Sequence, residues 1–350
     1  MPRIQLQGLS KRFGAIQAIH DLTLEIQPGS HHLLTGPSGS GKSTTLRLIA
    51  GLESPDSGRI LIDGTDITPL SPERRHCGWV AQSPGLLPHL DLQSQLELPL
   101  RLHSFSPADR IARVQVMADR LGLTHRLRHL PAALSAGEAA RAALGRALVA
   151  QPALLLLDEP FAHLDPTLRR QLRLLLRELL QDHNLTLLHV THHPIELLAD
   201  ASHISALANG RLFQSGPPES LYRQPRTPWL ADLLGDCPVW TCRRQDAGSL
   251  DFHLPPELAS GPPAQRLGVR PESITLHATP PAQSPFIGPI RIHRIARTGP
   301  RTWIECRWCQ GGRIEIPVPP EAHTGSIGDA GWLTFRSDDI LQFDPGIETP

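Results

Sequence analysis

At 350 residues, 40% hydrophobic and 19% charged, the chain has the length of two folded domains and a globular composition, which excludes a disordered or coiled-coil chain. Lys plus Arg and Asp plus Glu both total 34, so no overall basic field exists to hold nucleic acid or an acidic membrane surface. No run of ~20 apolar residues and no export signal are visible, and five cysteines in so long a chain suit a reducing cytoplasm rather than a disulfide framework.

Residues 3 to about 26 read as two strands, IQLQGLSKRF and IQAIHDLTLEI, joined at Gly14 and closed by Pro28 and Gly29. A short apolar strand, HHLLT, runs into a glycine-rich loop and the helical pattern TTLRLIAGL. SPDSGRILIDGTDIT gives a further turn-and-strand segment. From about Asp91 to Leu130 apolar residues recur at helical spacing, a run that Pro99 and Pro107 are expected to interrupt. Ala136 to Val149 reads as a helix, ALLLLDEP as a buried strand, TLRRQLRLLLRELL as an amphipathic helix and NLTLLHVTHH as the next buried strand. This alternation predicts a parallel sheet covered on both faces. Beyond about Leu234 the pieces SITLHA, IRIHRIA, TWIECRW, RIEIPV and WLTFR, separated by Gly and Pro, predict a small all-β, barrel-like domain.

GPSGSGKST, Gly36 to Thr44, meets the full phosphate-loop pattern between a strand and a helix. Gly36, Gly39 and Gly41 let N–H groups of Pro37's neighbours, Ser38 and Ser40 among them, turn inward as an anion nest. The helix N-terminus adds partial positive charge, Lys42 neutralises β- and γ-phosphate oxygens, and Ser43, with Thr44 behind it, offers a magnesium ligand. Lysine occurs only at Lys11 and Lys42, and a compact ammonium fits a backbone cradle that a guanidinium fork does not. LLLLDEP places Asp158 and Glu159 at the end of an apolar strand, where open α/β sheets gather ligands. Asp158 is the candidate Mg2+ ligand and Glu159 the group that polarises the attacking water.

With these motifs the sequence resembles the nucleotide-binding subunits of ABC transporters along essentially its whole length. LSAGE, Leu134 to Glu138, followed by Arg141 and ALGRAL, resembles the family's signature. The resemblance implies a head-to-tail homodimer in which Ser135 and Gly137, with Glu138 beside them, close over ATP held by the other subunit. It also implies that Gln82, in WVAQSPGLLPHL, reaches Mg2+ and that its loop senses a permease. Asp165, in FAHLDP, is expected to communicate across the dimer, His192, in LLHVTHHP, to contact the γ-phosphate, and Phe13 to stack on adenine. Core packing is the competing role for Phe13. GVRPESITL, Gly268 to Leu276, resembles the start of the accessory β-domain of maltose, iron, polyamine and sulfate importers.

The expected architecture is therefore an α/β phosphate-loop NTPase domain over residues 1–234, with a helical insert over about 91–135, and a β-rich accessory domain over 235–350. The implied activity is ATP hydrolysis with Mg2+ at the cytoplasmic face of the membrane. The implied partners are integral membrane permease subunits and, indirectly, an extracytoplasmic solute-binding protein; no nucleic-acid partner is expected. Two departures from the family pattern leave an alternative open. Ala136 stands where glycine is commonest and Glu138 where glutamine is, and a Cβ at a positive-φ position would hinder approach to phosphate. A nucleotide-gated regulatory module with weak or no hydrolysis remains the rival reading, while Ser135 and Glu138 also have the form of a simple capping box. A family member acting on DNA or ribosomes is the third reading, unsupported by any basic run. Cys237, Cys242, Cys306 and Cys309 lack the two tight pairs of a structural zinc site, and no metal ligand is expected there.

Overall fold

The computed structural model describes residues 1–181, 185–235, 237, 239–243, 252–253, 264–279, 286–298, 301–308, 313–318 and 325–343. They form two compact units, Met1–Pro218 and Glu219–Pro350.

In the first unit, β1 (Ile4–Phe13) and β2 (Ile16–Ile26) form an antiparallel hairpin turning at Gly14, whose φ of 59° is the left-handed conformation glycine tolerates. There follow β3 (His31–Thr35), α1 (Lys42–Ala50), β4 (Ser57–Ile62), β5 (Thr65–Asp66) and β6 (Cys77–Val80). The helical insert is α2 (Leu92–Leu102) and α3 (Pro107–Arg120), and α4 (Ala136–Leu148) leads out of it. The alternation resumes with β7 (Leu154–Asp158), α5 (Pro166–Gln181), β8 (Thr186–Val190), β9 (His203–Ala208) and β10 (Arg211–Gly216). One sheet is antiparallel, ordered β2-β1-β4-β5; the other is ordered β10-β9-β3-β8-β7-β6 and is parallel except for its edge strand β10.

The period of two along β7 explains how this second sheet is buried on both faces. Leu155 and Leu157 join a core with Leu96, Leu144, Leu172 and Leu176, beneath α2, α4 and α5. Leu154 and Leu156 join the opposite core with Ile4, Leu24, Leu46 and Ile49, beneath α1 and the antiparallel sheet. β7 therefore reads as an unbroken run of leucine up to Asp158.

One expectation is corrected. Pro107 does begin a helix, as the first residue after the Ser106 cap, but Pro99 interrupts nothing and lies inside α2. Its missing N–H costs one helical bond, while its neighbours Leu96 and Leu100 are fully buried, so tertiary packing carries the helix through. Of the two compact units, the second contains most of α6 (Pro218–Arg223) and all of α7 (Pro228–Leu234).

That unit contains β11 (Val239–Arg243), β12 (Phe252–His253), β13 (Ala264–Val269), β14 (Thr275–His277), β15 (Phe286–Thr298), β16 (Arg301–Trp308), β17 (Arg313–Val318), β18 (Ala330–Thr334) and β19 (Ile340–Phe343). They form the sheets β11-β13-β19 and β14-β18-β15-β16-β17, with β12 paired to β15. Val269, Ile290, Ile304, Ile316 and Leu333 supply the core between them. Arg270 of GVRPESITL is buried, and its cation is neutralised by carbonyl dipoles: it donates to Ala231 O at 2.7 Å, to Tyr222 O at 3.0 Å and to Gly235 O. This clasp draws α7 onto the β-domain. Cys237 and Cys306 are buried free thiols, and Cys309 lies outside the described residues.

Candidate active site

Parallel pairing sets the carboxyl ends of β6, β7, β8 and β3 side by side, and each is followed by one of the sequence candidates. Gly36 follows β3, Gln82 follows β6, Asp158 and Glu159 end β7, and His192 follows β8.

The phosphate loop owes its path to its glycines. Gly36 has φ 149°, and a Cβ there would lie 2.3 Å from Leu207 O; Gly41 has φ 100°, and a Cβ would lie 2.6 Å from Ala18 O. Neither position admits a side chain without moving backbone. Ser38 and Gly39 form the exposed tip, Pro37 is half-buried, and Ser40 is buried. Lys42 is buried, and its Nζ donates to Gly36 O at 3.0 Å and Pro37 O at 2.8 Å. Two of its three N–H groups thus fix the loop, which leaves the third for an anion in the cradle. Burial pushes the Lys42 pKa down, opposed by the charges of Glu159 and Asp158. Thr44, half-buried, is the third residue of α1.

Ser43 Oγ donates to Asp158 Oδ1 at 2.9 Å. Burial raises the Asp158 pKa, while the Ser43 hydrogen bond opposes the rise. Glu159 takes φ 48°, rare for a residue with a Cβ, and its N–H donates to Val190 O at 3.1 Å. This left-handed turn takes its carboxylate off the strand line to His192, whose Nδ1 lies 2.8 Å from Glu159 Oε2. His193 stacks obliquely on His192, ring centroids 4.0 Å apart. The arrangement joins an anion cradle with one cation, a hydroxyl–carboxylate pair and a carboxylate–imidazole pair, which are the parts needed to hold a phosphate chain and activate a water.

Phe13 ends β1 with 42% of its surface exposed, and Lys11 Nζ sits 5.3 Å from its ring centroid. The ring is therefore exposed rather than a core side chain. Gln82 is exposed in a bend, and Asp165, exposed, accepts from Leu168 N at 3.0 Å and so caps the first turn of α5.

Ser135, Gly137 and Glu138 gather elsewhere, at the head of α4. Ser135 caps the helix, and Ser135 N donates to Glu138 Oε2 at 2.8 Å, completing a capping box. Arg126 Nε adds a 2.8 Å bond to Glu138 Oε1. These partners, the Ser135 amide first, hold the Glu138 pKa down at about 2. Among the described residues no hydrogen bond or ion pair joins this group to the phosphate loop. Ala136 is the first helical residue and is absent from the positive-φ residues, so its Cβ carries none of the backbone strain that the sequence raised.

Sequence reasoning missed Arg146 and Gln95. Arg146 donates to Gly85 O at 2.8 Å and Pro84 O at 3.2 Å, and the fully buried Gln95 donates to Leu87 O at 2.6 Å, mooring the segment that follows Gln82. In so arginine-rich a chain nothing marked Arg146 out; Gln95, next to Leu96 in α2, was the available signal.

Residues 19–162 match the model of the ABC transporter family and residues 267–343 that of the TOBE domain. The Fe(3+) ions import ATP-binding protein FbpC 1 of Rhizobium meliloti is 39% identical, over 82% of this chain and 83% of that protein. FbpC of Escherichia coli is 36% identical over 95% of each chain, and the sulfate/thiosulfate import ATP-binding protein CysA of Synechococcus elongatus 37% over 91% and 90%. Among solved structures, the dimeric post-hydrolysis state of an ATP-binding cassette bound to ADP and Pi is 29% identical, with a TM-score of 0.56, covering 61% of this chain and 98% of that one. The ADP conformation of another cassette, 24% identical with a TM-score of 0.58 over 67% and 98%, shares the fold. The chain belongs to the ABC transporter family, as an ATP-binding, ATP-hydrolysing subunit of the importer type with a C-terminal TOBE domain.

Proposed function

We propose that two copies of this chain bind two Mg-ATP head to tail beneath a separate integral membrane permease, at the cytoplasmic face of the membrane. They close, drive uptake of a small solute, hydrolyse ATP and reopen. Lys42 and the loop Gly36 to Thr44 hold the phosphates, Phe13 stacks on adenine, and Ser135, Gly137 and Glu138 approach from the opposite copy, with Asp165 speaking across the interface. Ser43, Asp158 and Gln82 would hold Mg2+: a hydroxyl and a carboxylate 2.9 Å apart are the hard oxygen donors that ion takes. When bound, the ion neutralises phosphate charge. Glu159 accepts the proton of the attacking water, and His192 steadies Glu159 and meets the γ-phosphate.

The observation that carries this reading is the 2.8 Å pair Glu159–His192 at the same sheet edge as the phosphate loop. The head-to-tail dimer is favoured by the likeness to a cassette whose solved state is dimeric. Ala136 lies in helical backbone, so the backbone-strain argument for the regulatory reading does not apply. Relatives are named both for Fe(3+) and for sulfate/thiosulfate import, so this architecture accompanies unlike cargo, and selection is assigned to the permease and an extracytoplasmic solute-binding protein.

The test is ATP turnover of the parent against Glu159→Gln, with dimerisation followed by light scattering in ATP and Mg2+. Removing a general base is expected to slow turnover about 10²- to 10⁴-fold and to leave an ATP-bound dimer. A Glu159→Gln chain that turns over at the parent's rate would sink the assignment.

A further inference from the structure

The contact between Glu159 and His192 joins two separate stretches of chain, one running from β7 into α5 and the other leaving β8. Neither stretch is regular. Residues 159–164 are bends and turns, and His192 precedes a single 3-10 turn, Pro194–Leu197. The β7–β8 ladder and the Glu159 N–H bond to Val190 O fix the register as far as Glu159 and Val190, so what remains to be braced is the irregular chain beyond them.

Arg169, in the first turns of α5, touches both. Its Nη2 donates to Leu164 O at 3.4 Å, on the stretch that carries Glu159 and Asp165, and its Nη1 donates to Glu196 Oε1 at 3.1 Å, four residues beyond His192. Arg173, one turn along the same face of α5, continues the ladder: Nη1 lies 3.7 Å from Glu196 Oε2 and Nη2 3.3 Å from Asp200 Oδ2. Arg169 and Arg173 keep only 20% and 23% of their side-chain surface exposed. By contrast, Arg223–Glu219 on α6 is 74% and 75% exposed, the kind of pair that contributes little. Both arginines also line the small cavity behind Glu159 and His192. A planar fork with five donors grips a carbonyl and a carboxylate in one fixed geometry, which the compact ammonium of a lysine does not reproduce.

We infer that Arg169, backed by Arg173, is a positioning residue for hydrolysis: it braces the His192 segment against the Glu159 segment and so maintains the pair that activates water. This rests on the catalytic reading of Glu159 and His192 given above. Arg169 acts through them and touches no substrate. A small misplacement of a catalytic pair lowers the rate of the chemical step without weakening the binding of ATP.

The experiment compares the full-length parent with Arg169→Ala, Glu196→Gln, Arg169→Lys and the charge swap Arg169→Glu with Glu196→Arg. It measures kcat, KM for ATP, affinity for a fluorescent ATP analogue and melting temperature, with Glu159→Gln as reference. Expected are a fall in kcat of about tenfold to 100-fold for Arg169→Ala, an unchanged KM and analogue affinity, little rescue by lysine, and partial recovery in the swap. Should Arg169→Ala fail to fold, Glu196→Gln, which removes the charge and keeps the shape, is expected to lower kcat alone by a smaller factor. If Glu159→Gln is inactive while Arg169→Ala and Glu196→Gln keep the parent's kcat, the brace is wrong and the catalytic reading survives. If kcat and affinity fall together and the swap recovers neither, Arg169 is only structural. If Glu159→Gln is as active as the parent, the catalytic reading itself has failed.

Discussion

Ser43 Oγ donates to Asp158 Oδ1 at 2.9 Å, which ties the first turn of the phosphate-loop helix to the end of β7. Burial raises the Asp158 pKa, and a cation at this point would oppose that rise. Asp158→Asn keeps the shape and accepts the same hydroxyl bond but removes the charge. Its Mg2+ requirement for half-maximal turnover is expected to rise about 10- to 100-fold, with ATP binding in EDTA little changed. Titration of activity against Mg2+ checks this. An unshifted midpoint would remove Asp158 from the ion's ligands.

Phe13 is 42% exposed and contributes little to the core, so Phe13→Ala should leave stability within about 0.5 kcal/mol of the parent. A base stacked on an aromatic ring is worth about 1–3 kcal/mol, so ATP affinity should fall roughly 5- to 150-fold. Because inorganic triphosphate lacks the base, its affinity should not change. Equal losses for ATP and triphosphate would mean that the ring acts on the loop rather than on adenine.

Acid sensitivity should come from histidines inside the sheet. His31, His32 and His189 are pushed down chiefly by burial, His31 to about 4 and His32 to about 3, with His189 well below its ordinary value. They are neutral in the folded chain, while the unfolded chain takes up their protons below pH about 6.5. Stability is therefore full above that pH and falls as pH drops toward the folded pKa values, by up to about 1.4 kcal/mol per pH unit for each histidine. His32 Nε2 bonds Ser205 Oγ at 2.9 Å, and His32→Gln retains a polar partner for that serine. Denaturant midpoints from pH about 7 to about 5 should fall less steeply for His32→Gln than for the parent. Parallel slopes would show that His32 does not titrate on unfolding.

The sheet edge was legible because each of its components has a rigid local signature. The phosphate loop needs glycine at φ values no other residue tolerates, and the acid pair closes a leucine strand buried on both faces. Position after β8 singled out His192 among the chain's 18 histidines. What stayed hidden depends on contacts distant in sequence. Pro99 looked like a helix breaker until the burial of Leu96 and Leu100 overrode it. The change of composition near Leu234 gave no sign that Arg270, far downstream, bonds the Ala231 carbonyl of α7. Arg146 and Arg169 were two arginines among many, and only their distant partners, the Gly85 carbonyl and the Glu196 carboxylate, distinguish them. The conformation of Ala136 was likewise set by the cap ahead of it, not by alanine itself.

Glu138, where the family most often has glutamine, provides the last test. Its carboxylate receives the Ser135 amide at 2.8 Å, the Ser135 hydroxyl at 2.9 Å and the Arg126 guanidinium at 2.8 Å. Glutamine at this position preserves the capping box but loses the charge that Arg126 pairs with. The folded pKa of about 2 lies below the ordinary glutamate value, so the carboxylate's contribution is present above pH about 4.3 and is lost as pH falls toward about 2. Glu138→Gln should thus be less stable than the parent by about 1 kcal/mol near neutral pH. The gap should narrow between pH about 5 and about 3, measured by chemical denaturation. Because Ser135 and Gly137 keep their places at the head of the helix, ATP-driven dimerisation of Glu138→Gln should match the parent. A gap that does not change with pH would show that the charge of Glu138 is not what holds the signature helix to Arg126.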